Sequence, residues 1–303
     1  MRSKFLSLLL LIVMLASAAC TPAATTVAPT AAPATATQAP APTQAPSATA
    51  VPATVAPTPT QAPTTLTVLA AASLTESFTE LGTLFEAQHA GVKVAFSFAG
   101  SQQLAQQLDQ GAPADVFASA SPKYMTAAVT SKRVNQADAQ TFVKNHLVVI
   151  FPKANPAGLS ALKDLAKPGL KIDLEDKSVP AGQYSLDFLA KASKDPGFDA
   201  NYQANVLKNV VSYETDVKAV VSKVSLGEAD AGIVYITDYN AASDKLGKMD
   251  IPDALNTVAV YPIAPISDSK NPDLAKAFVA LVLSADGQAV MAKYGFVPAA
   301  GAK

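Results

Sequence analysis

Between Thr21 and Thr65 the chain carries no charged side chain, and it is built almost wholly of Ala, Pro and Thr with some Gln, Ser and Val. A stretch of that composition cannot bury enough apolar surface to offset its ordering entropy, so an extended, proline-stiffened tether is expected there and not a fold. This divides the 303 residues into a part that should pack, from about Leu66 onward, and a part that should not.

Ahead of the tether, Arg2 and Lys4 supply a charged start, Leu6 to Leu15 is almost wholly apolar, and Ala16-Ser17-Ala18-Ala19 leads to Cys20. This order reads as an export signal over residues 1–19, with an apolar run too short for a comfortable membrane span. Cys20 is the only cysteine, so neither an internal disulfide nor a thiolate metal cluster can form from it. The Ala-Ala-Cys ending resembles a bacterial lipobox, although Ser17 stands where that pattern usually has Leu. Lipidation of Cys20 is the reading taken, beside the plainer one of an incidental cysteine in a cleaved signal. Acyl chains there would anchor firmly at about 0.8 kcal/mol per buried methylene. Residues 20–65 are therefore expected to be a lipidated cysteine and its tether.

The chain has 23 basic and 24 acidic side chains. Since Arg2 and Lys4 lie in the leader, the folding part is mildly acidic, which argues against nucleic acid as a partner. No later apolar run is long enough to span a bilayer, so the expected membrane contact is through the lipid alone.

Within the folding part, Leu66 to Ala70 is a short apolar run, and Leu74, Phe78, Leu81 and Phe85 follow at helical spacing. Val92, Val94, Phe96 and Phe98 then alternate as a strand does, and Gly100-Ser101 precedes Leu104 and Leu108 on a second helix. Further strands are expected at Asp115 to Ser119, His146 to Phe151, Leu170 to Leu174, Val210 to Tyr213, Ala231 to Tyr235 and Thr257 to Ile263. Helices fit between them at Lys123 to Ser131, Ser160 to Leu165, Gln183 to Ala192, Asp216 to Leu226, Asp273 to Leu283 and Asp286 to Tyr294. Alternating strands and helices predict α/β architecture with parallel-rich sheets covered on both faces.

In such sheets ligands bind beyond the carboxyl ends of strands, where helix N-termini gather unpaired N–H groups and about half a positive charge. Ser73 and Ser101 stand at two such junctions, although serine is also an ordinary helix cap. Val179-Pro180-Ala181-Gly182 opens another helix with small residues that would let backbone approach a ligand, or simply make a turn. Thr215 or Asp216 can cap the helix in which Val217 presents a backbone N–H, and Tyr235 ends an apolar strand where its phenol could reach a cleft or rest half-buried. His89 and His146 have no partner at ligand spacing, and no nucleophile elbow or glycine-rich phosphate loop is present, so the chain is not expected to be an enzyme.

Five ordered segments resemble the periplasmic molybdate-binding proteins of ABC transporters: Val-Leu-Ala-Ala-Ala-Ser-Leu-Thr at 68–75, Phe-Ala-Gly-Ser at 98–101, Ala-Asp-Val-Phe-Ala-Ser-Ala at 114–120, Val-Pro-Ala-Gly at 179–182 and Gly-Ile-Val-Tyr at 232–235. The likeness runs from about Leu66 to Val297. It implies a two-lobed periplasmic-binding-protein fold of type II, with two chain crossings between lobes near His146 and near Val258 to Pro262. One lobe would comprise residues 66–146 and 259–303, and the other residues 147–258. It further implies that a tetrahedral oxyanion, molybdate or tungstate, is held by Ser73, Ser101, Ala181, Val217 and Tyr235.

A related archaeal-type branch adds carboxylates to that set. Here no acid stands at Pro180-Ala181-Gly182 or Val234-Tyr235, with Glu214 and Asp216 the nearest acids in sequence to Val217. A wholly neutral donor set would reject an anion carrying its own O–H for want of an acceptor, with an unmet buried donor costing about 1–3 kcal/mol. The resemblance implies a monomer that serves a membrane ABC permease at the cell surface or in the periplasm, with no cofactor and no directly coordinated metal. The alternatives weighed are a sulfate, phosphate or ferric-ion receptor of the same fold, the last hinted at only by Tyr235 and Tyr239. More distant ones are a secreted enzyme using Ser73 or Ser101 as nucleophile, for which no base is evident, and a surface scaffold.

Overall fold

The computed structural model describes residues 63–299. The export signal, Cys20 and nearly all of the tether lie outside the described residues. The first strand begins at Thr64, two residues earlier than the apolar run at Leu66, because Thr64 N–H already bonds to Gly91 C=O at 2.9 Å.

The chain opens with β1 (Thr64–Ala71), a short 3₁₀ turn (Ala72–Leu74), α1 (Thr75–Gln88), β2 (Val92–Ala99), α2 (Ser101–Asp109), β3 (Val116–Ala118), α3 (Pro122–Thr130) and β4 (Gln140–Asn145). It continues through β5 (Leu147–Pro152), β6 (Ile172–Glu175), α4 (Pro180–Ala192), α5 (Tyr202–Lys208), β7 (Val210–Glu214), α6 (Val217–Ser225), β8 (Ala231–Tyr235), α7 (Ile236–Ala241) and β9 (Leu246–Asp250). Then come β10 (Ala259–Pro265), α8 (Pro272–Leu283), α9 (Ala285–Lys293) and β11 (Val297–Pro298).

Two sheets result, one ordered β11-β4-β10-β3-β1-β2 and the other β7-β6-β8-β5-β9. β4 ends in the first at Asn145 and β5 begins in the second at Leu147; β9 ends in the second at Asp250 and β10 opens in the first at Ala259. The sheets are mixed, not parallel-rich as the alternation suggested. β1 is parallel to β2 and β3, and β6 to β7 and β8, but β10 is antiparallel to β3 and β4, and β5 to β8 and β9. The antiparallel strands are those where the chain enters or leaves a sheet, so no helical crossover is needed to bring them beside their neighbours.

Side-chain alternation divides the first sheet cleanly. Leu66, Val68 and Ala70 of β1, Val116 and Ala118 of β3, and Tyr261 and Ile263 of β10 face the larger core, where Phe78 and Phe85 of α1 meet Phe278 of α8. Leu69, Phe117 and Ala264 point the other way and pack on Leu104, Leu108, Tyr124 and Met125 of α2 and α3. That period of two is what a strand buried on both faces requires. The register of β10 against β4 shifts at Tyr261/Pro262. A proline has no N–H for the ladder and is accommodated at such an irregularity, which here sits directly beside Tyr261. Among the described residues no single helix is long and apolar enough to cross a membrane.

The parallel strands deliver the site. The carboxyl ends of β1, β2 and β3 in one sheet and of β6, β7 and β8 in the other turn toward each other, so residues immediately following them share one space.

Candidate anion-binding site

A cavity with about 200 Å³ of empty space lies between these strand ends, lined by Ala71, Ala72, Ser73, Ala99, Gly100, Ser101 and Ala120 from the first sheet's side. Glu175, Val179, Pro180, Asp216, Val217 and Tyr235 line it from the second. Of the five residues singled out by resemblance, Ser73, Ser101, Val217 and Tyr235 meet on its wall. Ala181 is fully buried just behind, and its neighbours Val179 and Pro180 form the surface there.

Neither serine is a helix cap. Ser73 falls within the 3₁₀ turn, and Ser101 is the first residue of α2, with Gly100 in the capping position and no side-chain cap. Ser101 Oγ instead accepts the N–H of Ala120 at 3.0 Å, which ties the end of β3 to the start of α2 and leaves the hydroxyl proton available. Ser73 Oγ lies 2.9 Å from the hydroxyl of Tyr261. Asn145 adjoins that contact. Its Oδ1 accepts the N–H of His146 at 3.0 Å, which fixes its amide to donate from Nδ2, to Thr237 Oγ1 at 2.9 Å and toward Tyr261 at 3.5 Å. Tyr261 thus accepts from Asn145, and either hydroxyl of the Ser73–Tyr261 pair can donate to the other.

Asp216 is the true N-cap of α6. Its Oδ1 accepts the N–H groups of Lys218 and Ala219 at 2.9 and 3.1 Å, while Val217, first in the helix, presents an N–H with no intrahelical acceptor. Tyr235, 1% exposed, ends β8, and its hydroxyl has no hydrogen-bond partner among the described residues. Burial, with Tyr261 and Glu175 close by, pushes that phenol well above its ordinary pKa, so it is a donor and never a phenolate.

No lysine or arginine lines the cavity, and two acids do. Glu175 went unnoticed in the sequence because the expected strand stopped at Leu174; the strand runs one residue further and carries the carboxyl to the wall. Of the two acids left open by the sequence Asp216 lines the cavity, and Glu175 is one the sequence reading did not offer. Glu214 turns elsewhere, accepting from Ser212 and pairing with Lys223. Burial, then the charge of Asp238, pushes Glu175 well above the usual carboxylate range, against a partial pull from the N–H of Gly182. Tyr239 is not on the wall; its ring lies under Lys248. Among the described residues no cluster of three His, Cys, Asp or Glu could hold a metal ion.

Contacts across the cavity join its two sides. Gln102 Nε2 donates to Thr215 C=O at 2.9 Å, Tyr124 hydroxyl donates to Ser178 C=O, and Lys218 Nζ reaches Glu76 at 2.8 Å and the buried Asp238 at 3.0 Å. The approach is close enough that a Cβ on Gly100 would sit 2.3 Å from Thr215 O.

Residues 66–297 match the family model of bacterial extracellular solute-binding proteins. The chain belongs to that family. It is similar to the molybdate-binding protein ModA of Mycobacterium bovis, with 37% identity over 229 residues, 76% of this chain and 83% of that protein. A putative ABC transporter substrate-binding lipoprotein of Bacillus subtilis, YvgL, is 32% identical over 231 residues, 76% of this chain and 85% of that one. Among solved structures, the substrate-binding domain of a putative molybdenum ABC transporter from Clostridium difficile has a TM-score of 0.57 at 31% identity, covering 78% of this chain and all (100%) of that domain. The fold of this solute-binding protein is therefore the two-lobed α/β one, with each sheet at the heart of a lobe.

Proposed function

We propose that this solute-binding protein captures molybdate, or tungstate of nearly the same size, outside the cytoplasm and delivers it to a membrane ABC permease. The observation that carries the reading is the make-up of the wall: Ser73, Ser101, Val217 and Tyr235 line one space with no cationic side chain. Oriented neutral dipoles and helix N-termini hold an oxyanion without lysine or arginine. The names of the M. bovis and C. difficile relatives support the same ligand.

Ser73, Ser101 and Tyr235 would donate from side chains, Val217 and the start of α4 around Ala181 from backbone. Ser73 and Ser101 would bind from the first lobe, and Val217 and Tyr235 from the second, so ligand contact on both sides favours closure by hinge bending. Cys20 would carry the lipid, with residues 21–65 as tether, so that a single anchored copy works beside its permease.

The test is a thermal-shift series with molybdate, tungstate, sulfate, phosphate and ferric citrate. A ligand bound only by the native state raises apparent stability by about 2.7 kcal/mol at one hundred times its Kd. Stabilisation by molybdate and tungstate above the other three is expected. Stabilisation by ferric citrate, or by sulfate or phosphate above both, would replace the reading.

A further inference from the structure

The second acid on the cavity wall, Asp216, has a structural task at the head of α6. Glu175 stands likewise at the head of α4, where the N–H groups of Gly182 and Ala181 pull on its carboxyl against burial. It is the last residue of β6, 3% exposed, and lines the cavity. Its Oε2 accepts the N–H of Gly182 at 3.0 Å. Gly182 permits this approach, since a Cβ there would lie 2.1 Å from Asp176 O.

Beyond the N–H groups at the head of α4, the charged and titratable groups facing Glu175 offer an ionised carboxyl no free cation. Tyr235 on β8 and Tyr261 on β10 are neutral, and Asp216 on α6 and Asp238 on α7 are acids. Lys218, the cation among them, is held by Asp238 and by Glu76 of α1. A doubly negative guest beside a carboxylate in so buried a place would suffer unscreened repulsion.

We propose that Glu175 is a further ligand-contacting residue of this site, acting as a neutral carboxylic acid whose O–H donates to the bound oxyanion from Oε1 while Oε2 keeps the Gly182 N–H. This rests on the oxyanion reading above. Its balance is simple: where the empty site holds carboxylate, binding transfers one proton from the buffer acid to Oε1, and no bond to the anion is made or broken. It also restores the selectivity argument that an acid on the wall had removed. A protonated Glu175 offers the ligand a donor, with its carbonyl oxygen already engaged, so an anion bearing its own O–H still lacks an acceptor. The burial that raises this carboxyl's pKa favours the neutral form.

The test is titration calorimetry of molybdate into the purified protein from pH 7 to 9.5, in two buffers of different ionisation heat, beside Glu175→Gln. For the wild type, proton uptake approaching one per anion is expected, with affinity falling toward tenfold per pH unit at the alkaline end. Glu175→Gln keeps an N–H donor, so its affinity should be flat with pH and free of uptake. Wild-type affinity that does not fall at the alkaline end, or uptake equal in both proteins, overturns this inference alone. So does phosphate binding that strengthens as pH rises, which would make Glu175 an acceptor. Absence of molybdate and tungstate binding at every pH takes down the inference together with the reading it rests on. The wild-type affinity at the alkaline end is decisive even if the variant does not fold.

Discussion

The two walls of the cavity are built on opposite plans. On the first lobe each hydroxyl has a protein partner: Ser101 accepts from Ala120, and Ser73 sits at the end of the Asn145–Tyr261 relay. On the second lobe polar groups are buried without such settlement. Tyr235 hydroxyl on β8 is unpartnered, and on β6 Glu175 accepts the Gly182 N–H while Asp173, fully buried, faces the carboxylate of Glu214. The first wall is preorganised, whereas the second holds polar groups whose desolvation cost a ligand can relieve.

The largest effect that would sharpen this contrast lies at Asp173. Burial, and next the carboxylate of Glu214, push it up to about 7, with Lys223 opposing. The native state therefore keeps a proton that the unfolded chain releases near its ordinary value of 3.8. Folding stability should fall as pH rises from about 4 to about 7, and be highest below that window. The loss should be on the order of a few kcal/mol. Urea unfolding across this range should show the slope, to which the raised carboxyls of Glu175 and Asp238 add with the same sign, and Asp173→Asn should reduce it; an unchanged slope would remove Asp173 from the argument.

Next come paired substitutions on the two walls. Ser101→Ala leaves the Ala120 N–H without its acceptor, so both stability and affinity should drop, the former by about 1–3 kcal/mol. Tyr235→Phe deletes an unpartnered hydroxyl, so the empty protein should melt no lower, and slightly higher, while affinity falls by about 0.5–3 kcal/mol. Melting curves with and without molybdate separate the two patterns, and parallel behaviour of both variants would break the comparison.

The smallest effect belongs to the bridge between lobes. Lys218 pairs with Asp238 of α7 and with Glu76 of α1, and on the proposed hinge closure only the second pair would break on opening. Glu76→Gln should weaken ligand binding by about 0.2–1 kcal/mol, chiefly through faster release, and the difference should shrink in high salt. Stopped-flow release rates at two salt concentrations would check this.

The serines, Val217 and Tyr235 were legible because each follows an apolar strand at a turn into a helix, a pattern visible in one dimension. Their partners were not. Tyr261 reaches Ser73 from 188 residues away, across a sheet order that hydrophobic spacing does not specify. Glu175 was missed for a related reason. The run Ile172-Asp173-Leu174-Glu175 alternates as a strand open to water on one face would, yet both acids are buried. The weakly patterned β4 and β9, and the short α5 and α7, carry too few apolar residues to declare themselves, and the packing of neighbours decides them.

The central claim is that uncharged donors from both lobes hold a doubly negative guest. A crystal structure of the protein grown with molybdate tests it most directly. The expected result is the anion in this cavity, within hydrogen-bonding distance of the hydroxyls of Ser73, Ser101 and Tyr235 and touching no lysine or arginine. An anion resting on a cationic side chain, or bound elsewhere with this cavity unfilled, would contradict it.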